Sequence, residues 1–190
     1  MFRIAIDGTA AAGKGTLAQL CSKVLGFMYV DTGTMYRSVA LKALESGVDA
    51  DDEAGHAQIA QKLKFEFEWD GDELKVWVDG EDCSTKIRAE AVGDRASTSS
   101  AYPGVRSALL EQQRQLGKSQ NVIMDGRDIG TVVLPDAELK VYVDAHIEVR
   151  AMRRLSDVLK KDQNAQFEKV LVDLKNRDDR DLNRKVAPLK

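Results

Sequence analysis

The segment Gly8-Thr9-Ala10-Ala11-Ala12-Gly13-Lys14-Gly15-Thr16 has the residue types and spacing to cradle a polyphosphate. Small side chains let successive backbone N–H groups turn toward one anion. The positive end of a following helix points at the same charge. Lys14 adds a mobile point charge for the β and γ phosphates of a nucleoside triphosphate. The generic pattern places Ser or Thr directly after the lysine. Here Gly15 intervenes, and Thr16 is the hydroxyl left for a Mg²⁺ ion.

Three further segments carry groups of the same chemical kind. Asp31-Thr32-Gly33-Thr34-Met35-Tyr36-Arg37 follows an expected strand. C-terminal strand ends of an open parallel sheet share one ligand crevice, so this segment is expected to face the phosphate loop. Thr32 either bonds a phosphate oxygen or caps the next helix, and Arg37 either pairs with a phosphate or lies at the surface. Asp125-Gly126-Arg127-Asp128 ends a buried run. Its first carboxylate either orients water on Mg²⁺ beside a phosphate loop or closes a strand-ending turn. Arg177-Asp178-Asp179-Arg180-Asp181-Leu182-Asn183-Arg184 is preceded by Arg150, Arg153 and Arg154. Such a run is either a solvated helix face or a set of cations converging on a phosphoryl group in flight, whose charge spreads over its equatorial oxygens. Arg150 and Arg154 are four residues apart and share one helix face.

The elements that must position these groups read as follows. Residues 3–7 form a short buried strand before the loop. Residues 16–25 form a helix with Leu17, Leu20, Val24 and Leu25 at helical spacing, stopped by Gly26. A strand at 27–30, a helix at 35–46 and a helix at 54–63 come next. Alternating runs at 63–69 and 73–78 flank Asp70-Gly71-Asp72, a hairpin signal. A hairpin does not join a parallel sheet, so it is expected in a protruding flap over residues 49–100. A helix at 105–116 carries Val105, Leu109 and Leu116 on one face. Strands at 121–124 and 139–143 and helices at 148–161 and 167–176 complete the chain. The last helix has Phe167, Val170, Leu171 and Leu174 on one face. Strands alternating with helices across short turns indicate an α/β fold with a parallel sheet.

The 190 residues suit one domain with a subdomain, and 43% hydrophobic residues supply a core. A formal net charge of −3 gives no attraction for a nucleic acid polymer. Cys21 and Cys83 are far apart without metal-ligand spacing, so they read as free thiols of a reducing compartment. No apolar stretch is long enough to cross a bilayer, and no signal peptide precedes the first strand. No membrane partner and a cytoplasmic location are therefore expected.

In this order, the four segments resemble bacterial cytidylate kinases, a branch of the nucleoside monophosphate kinase family. The resemblance runs from Ile4 to Leu189. Its most specific stretches are 31–37, Gly126-Arg127-Asp128-Ile129-Gly130-Thr131-Val132-Val133 and 177–189, together with the insert at 49–100. It implies a P-loop three-layer α/β/α fold with a central parallel sheet and flanking helices. It also implies a kinase core at 1–48 and 101–190, a lid at about 150–166 and a monophosphate-binding flap at 49–100. Gly8, Thr9, Ala10, Ala11, Ala12, Gly13, Lys14, Gly15 and Thr16 would hold ATP, with Arg150, Arg153 and Arg154 in the lid above it. Thr32, Tyr36, Arg37 and Arg127 would hold a monophosphate. Ser97, Arg106 and Asp128 would read the cytosine edge, and Arg177, Asp181 and Arg184 would hold sugar and phosphates. Lys14, Arg127, Arg154 and Arg184 would carry the chemistry, with Mg²⁺ at Thr16 and, through water, Asp125.

The implied reaction is in-line transfer of the γ-phosphoryl group of ATP to CMP or dCMP, by a monomer. A carboxylate accepting from the cytosine amine, with arginine and serine donating to the ring, discriminates against uracil. Two departures from the family stand out. The family loop commonly has Pro, Ser and Gly where this chain has Thr9, Ala10 and Ala11. Alanine at position 11 asks for an ordinary backbone conformation there. Family members also continue past Ala187-Pro188-Leu189 into an apolar strand and a helix, which would help form the adenine pocket. The alternatives are a P-loop kinase of another small acceptor, such as another nucleotide or shikimate, and a nucleotide-binding switch. A guanine switch needs an Asn-Lys-x-Asp motif, which the sequence lacks.

Overall fold

The computed structural model describes residues 1–160 and 162–190. Lys161, the last residue of the helix expected at 148–161 and part of the lid expected at 150–166, lies outside the described residues. The fold is α/β, with a parallel sheet and helices. Its strands and helices are β1 Arg3–Gly8, α1 Lys14–Leu25, β2 Met28–Asp31, α2 Thr32–Glu45, α3 Glu53–Lys62, β3 Phe65–Asp70, β4 Glu73–Val78, β5 Glu81–Asp82, α4 Glu90–Ser99, α5 Pro103–Ser119, β6 Val122–Asp125, β7 Leu139–Val143, α6 Ile147–Leu159 and α7 Phe167–Asn183. Four strands run in the order β2-β6-β1-β7, so the chain must cross over between neighbours. Two compact units divide the chain: Phe27–Val122 with Met1, and Phe2–Gly26 with Ile123–Lys190.

In the second unit, β1 pairs in parallel with β7, from Ile4 opposite Leu139 to Gly8 opposite Val143. Ile4, Ala5 and Ile6 are buried, as a two-sided parallel strand requires. β1 ends at Gly8 with φ 142°, where a Cβ would overlap the Val143 carbonyl oxygen. Only glycine allows both that backbone angle and that approach.

The rotation of α1 differs from expectation. Leu20 and Val24 are 60% and 84% exposed, and Leu17 and Leu25 are exposed as well. The buried side chains are Lys14, Ala18 and Ser22. The loop sets this rotation. Lys14 is the first residue of the helix and must face the loop, and positions four and eight residues on then face the same way.

α6 and α7 pack together around Ala151, Val170 and Leu174, with Ala10 of the loop in the same cluster. α7 runs seven residues beyond the expected 176. Its inward stripe continues as Val170, Leu174 and Asp178, each four apart, so the apolar pattern stops where the helix does not.

In the first unit, β3 and β4 form the expected antiparallel hairpin, with Asp70 opposite Glu73 across the turn. β5 adds a short third strand. α2 packs on α4, and α3 on α5. α4 escaped the sequence reading because only Val92, Ala96 and Ser99 are buried along it. Asp31 caps α2 by accepting from Thr34 N at 3.3 Å, so capping falls to Asp31 and not to Thr32. Gly8→Ala is expected to destabilise the fold by about 3 kcal/mol. Thermal melting followed by circular dichroism should show a Tm lower by about 6–12 °C.

Candidate active site

The loop after β1 is formed by backbone geometry that its composition conceals. Ala11 has φ 58°, the left-handed region, and Gly13 has φ 103°. The ordinary conformation expected for Ala11 is therefore not the one it adopts. An alanine pays about 1–2 kcal/mol there, so neighbours must over-determine the loop. Cations bind its carbonyls: Lys14 Nζ donates to Thr9 O at 2.6 Å, Arg150 Nη1 to Ala10 O at 3.1 Å and Arg153 Nη1 to Ala12 O at 3.1 Å. Thr9 Oγ1 donates to Asp144 at 2.8 Å.

Lys14 is buried. Desolvation lowers its pKa to about 7, and the charges of Arg127 and Arg177 push the same way against Asp125 and Asp181. A buried, half-neutral ammonium is ready to regain its proton when an anion arrives.

Asp7, at the end of β1, accepts from the amides of Ile129 at 2.8 Å and Gly130 at 2.7 Å. Burial pushes its carboxyl up, and these two amides pull it back. The bond pair anchors the turn Ile129–Val133, and with it Arg127 and Asp128, to the phosphate-loop strand. Both Asp7 oxygens are thereby occupied. Asp125 is buried at the end of β6. A carboxylate such as Asp125 and a hydroxyl such as that of the exposed Thr16 are oxygen donors of the kind Mg²⁺ takes. Among the described residues no cluster of three or more His, Cys, Asp or Glu could hold a metal alone.

Four charged residues from β6–α7 form one alternating network. Arg127 Nε donates to Asp181 at 2.7 Å, Arg184 Nη2 donates to Asp128 at 3.1 Å, and Arg184 Nη1 lies 3.9 Å from Asp181. Arg127 also donates to Gly126 O, and Arg184 to Ala187 O. The charge run at 177–184 is thus partly solvated and partly built in: Arg177 and Arg180 are exposed, while Asp178 is buried. In α6, Arg150 is buried and Arg154 exposed.

The first unit gathers Thr32, Tyr36 and Arg37 on α2, Ser97 on α4 and Arg106 on α5. Thr32 is buried. Arg37 Nη1 donates to Ile87 O at 3.1 Å. A Cβ on Gly93 would stand 3.3 Å from that same nitrogen. Arg106 is buried, donates to Ser100 O at 3.2 Å and lies 5.5 Å over the Tyr36 ring, a cation–π contact. Side chains tied down in this way lose little entropy when a ligand binds.

The family model described as cytidylate kinase matches residues 4–190. The chain belongs to the cytidylate kinase family. Among its relatives is a protein of Aeromonas salmonicida named cytidylate kinase, 48% identical over 97% of this chain and 80% of that protein. One of the same name from Citrifermentans bemidjiense is 46% identical over 98% of this chain and 80% of that protein. A third, from Caldanaerobacter subterraneus, is 44% identical over 98% and 82%. The loop, the Arg127–Asp128 turn and the Arg177–Arg184 run are parts of one kinase family pattern. Asp7, Asp144, Asp178 and Gly93 are structural partners that the motif reading missed. Asp7 and Asp178 betray themselves only as acids in otherwise inward-facing stripes.

The Lys14 environment sets a pH dependence. The free group has lost most of its charge above pH 7, whereas a bound polyphosphate raises its pKa again. Binding must then take up a proton, and affinity falls as pH rises from about 7, by at most about tenfold per pH unit. Calorimetric titration of inorganic tripolyphosphate in buffers of different ionisation enthalpy, with Lys14→Met as the reference for the ligand's own protons, should show the wild type taking up about one proton more than the variant at about pH 8.5 and about the same number at about pH 6.

Proposed function

We propose that this chain transfers the γ-phosphoryl group of ATP to CMP or dCMP, yielding ADP and CDP or dCDP. The observation that carries this is the Arg127–Asp181–Arg184–Asp128 network in a family member whose phosphate loop is formed. Two arginines held by two aspartates offer a phosphate dianion preformed donors, and the loop offers the same to a triphosphate.

In this reading residues 8–16 hold ATP, with Arg153 and Arg154 above the loop. Thr32, Tyr36, Arg37 and Arg127 hold the monophosphate. Ser97, Arg106 and Asp128 read the base, and Arg177, Asp181 and Arg184 hold the sugar and phosphates. The acceptor phosphate is already anionic, so positioning and charge stabilisation by Lys14 and the arginines suffice, with no protein nucleophile. Mg²⁺, held by Thr16 and through water by Asp125, would neutralise charge on the β and γ phosphates. Residues 49–100 serve as the acceptor-binding flap, and residues around 150–166 as the lid. The protein works as a monomer in the cytoplasm. Free thiols at Cys21 and Cys83 suit that compartment.

A coupled ADP-release assay across CMP, dCMP, UMP and AMP tests the proposal. CMP or dCMP should give the highest kcat/KM, and faster turnover of UMP or AMP would refute the base assignment. Gly93→Ala should push the Arg37 guanidinium by a few tenths of an ångström. The KM for CMP should then rise by about threefold to tenfold at unchanged KM for ATP.

A further inference from the structure

One ion pair makes contact with the phosphate loop but touches it only from behind. Arg150, 6% exposed, and Asp178, 8% exposed, are joined at 2.6 Å between Nη1 and Oδ2. Arg150 comes from α6 and Asp178 from α7. Both also bond the peptide groups of a single residue, Ala10. Asp178 Oδ1 accepts from Ala10 N at 3.3 Å, and Arg150 Nη1 donates to Ala10 O at 3.1 Å. Arg150 Nε is spent on Ala145 O at 2.8 Å. The Ala10 side chain is buried against Ala151, Val170 and Leu174. Ala10 is thus held through its amide, its carbonyl and its Cβ.

The next residue is Ala11, left-handed at φ 58°. Orienting the peptide between Ala10 and Ala11 is what keeps that unfavourable alanine conformation populated. The Ala10 amide is also withdrawn from any phosphate, because a carboxylate already occupies it.

A buried ion pair is a weak source of stability, because the cost of desolvating both charges offsets most of their attraction. Two well-packed apolar side chains would hold α6 against α7 about as well. What apolar side chains cannot do is accept from one peptide group and donate to the other.

We propose that Asp178, acting with Arg150, is a positioning residue for the donor loop: the pair fixes the peptide groups on both sides of Ala10 so that the remaining loop amides and Lys14 meet ATP. The proposal rests on reading residues 8–16 as the ATP loop. It assigns Arg150 to the support of the loop, and not to contact with the nucleotide.

The test is direct binding of ATP by titration calorimetry, with KM values for ATP and CMP and thermal melting measured alongside. Asp178→Ala should weaken ATP binding by about tenfold or more and leave the KM for CMP within about twofold. Asp178→Asn keeps an acceptor for Ala10 N but not the charge for Arg150, so its ATP affinity should fall between the two. The double variant Arg150→Met, Asp178→Leu replaces the pair with apolar groups. It should melt close to the wild type yet bind ATP as weakly as Asp178→Ala. Wild-type ATP affinity in that folded double variant would overturn the proposal, as would equal losses for ATP and CMP in Asp178→Asn. Failure of the wild-type protein to bind ATP at all would instead overturn the reading of the loop.

Discussion

A loop that aims its amides at an anion must find other partners for its carbonyls, and in this protein much of the second unit is arranged to supply them. Peptide polar groups cannot be left unpaired in a buried place. Thr9, Ala10 and Ala12 therefore each offer a carbonyl to a cation, namely Lys14, Arg150 and Arg153. Those cations sit where they do because α1 starts at Lys14 and α6 packs on α7 behind Ala10. The same requirement turns α1 so that Ala18 and Ser22 face inward and its leucines face out.

Carboxylates do comparable positional work. Asp7 ties the turn that carries Arg127 and Asp128 to β1 by two short bonds to backbone amides. Asp181 holds Arg127 and stands within reach of Arg184, and Asp128 holds Arg184. Alternating signs keep four charges close together without net repulsion. In the proposed reading, an arriving phosphate would exchange one anionic partner for another instead of recruiting arginines from water. In the first unit, Arg37 and Arg106 are likewise held by backbone carbonyls at Ile87 and Ser100.

Much of this was legible before any coordinates. The strand–loop–helix frame follows from glycines and alanines bracketing Lys14, and the hairpin from alternation around Gly71. The face of α7 follows from Phe167, Val170, Leu171 and Leu174. Less legible were features whose signal is not periodic. α4 buries too few apolar side chains to announce a helix. α7 continues through Asp178 because a buried acid replaces the next apolar residue. Ala11 gives no hint of a positive φ, which is uncommon for a residue other than glycine.

By itself, the sequence determined the α/β class, the strand–loop–helix frame around Lys14 and the family to which the chain belongs. These depend on local spacing and on residue types whose chemistry is the same in any fold. Tertiary structure alone decided which charges bind the backbone and which stay exposed. Arg150, Arg153 and Arg154 lie within one turn and a half of helix and look alike in sequence. One is buried in an ion pair with Asp178, and the other two are exposed, one of them binding a loop carbonyl. The loop at residues 9–12 and the packing of α6 on α7 draw that distinction. The contacts of Ala10 with α6 and α7 bring together residues some 140 and 170 positions apart, a separation that spacing along the chain does not encode.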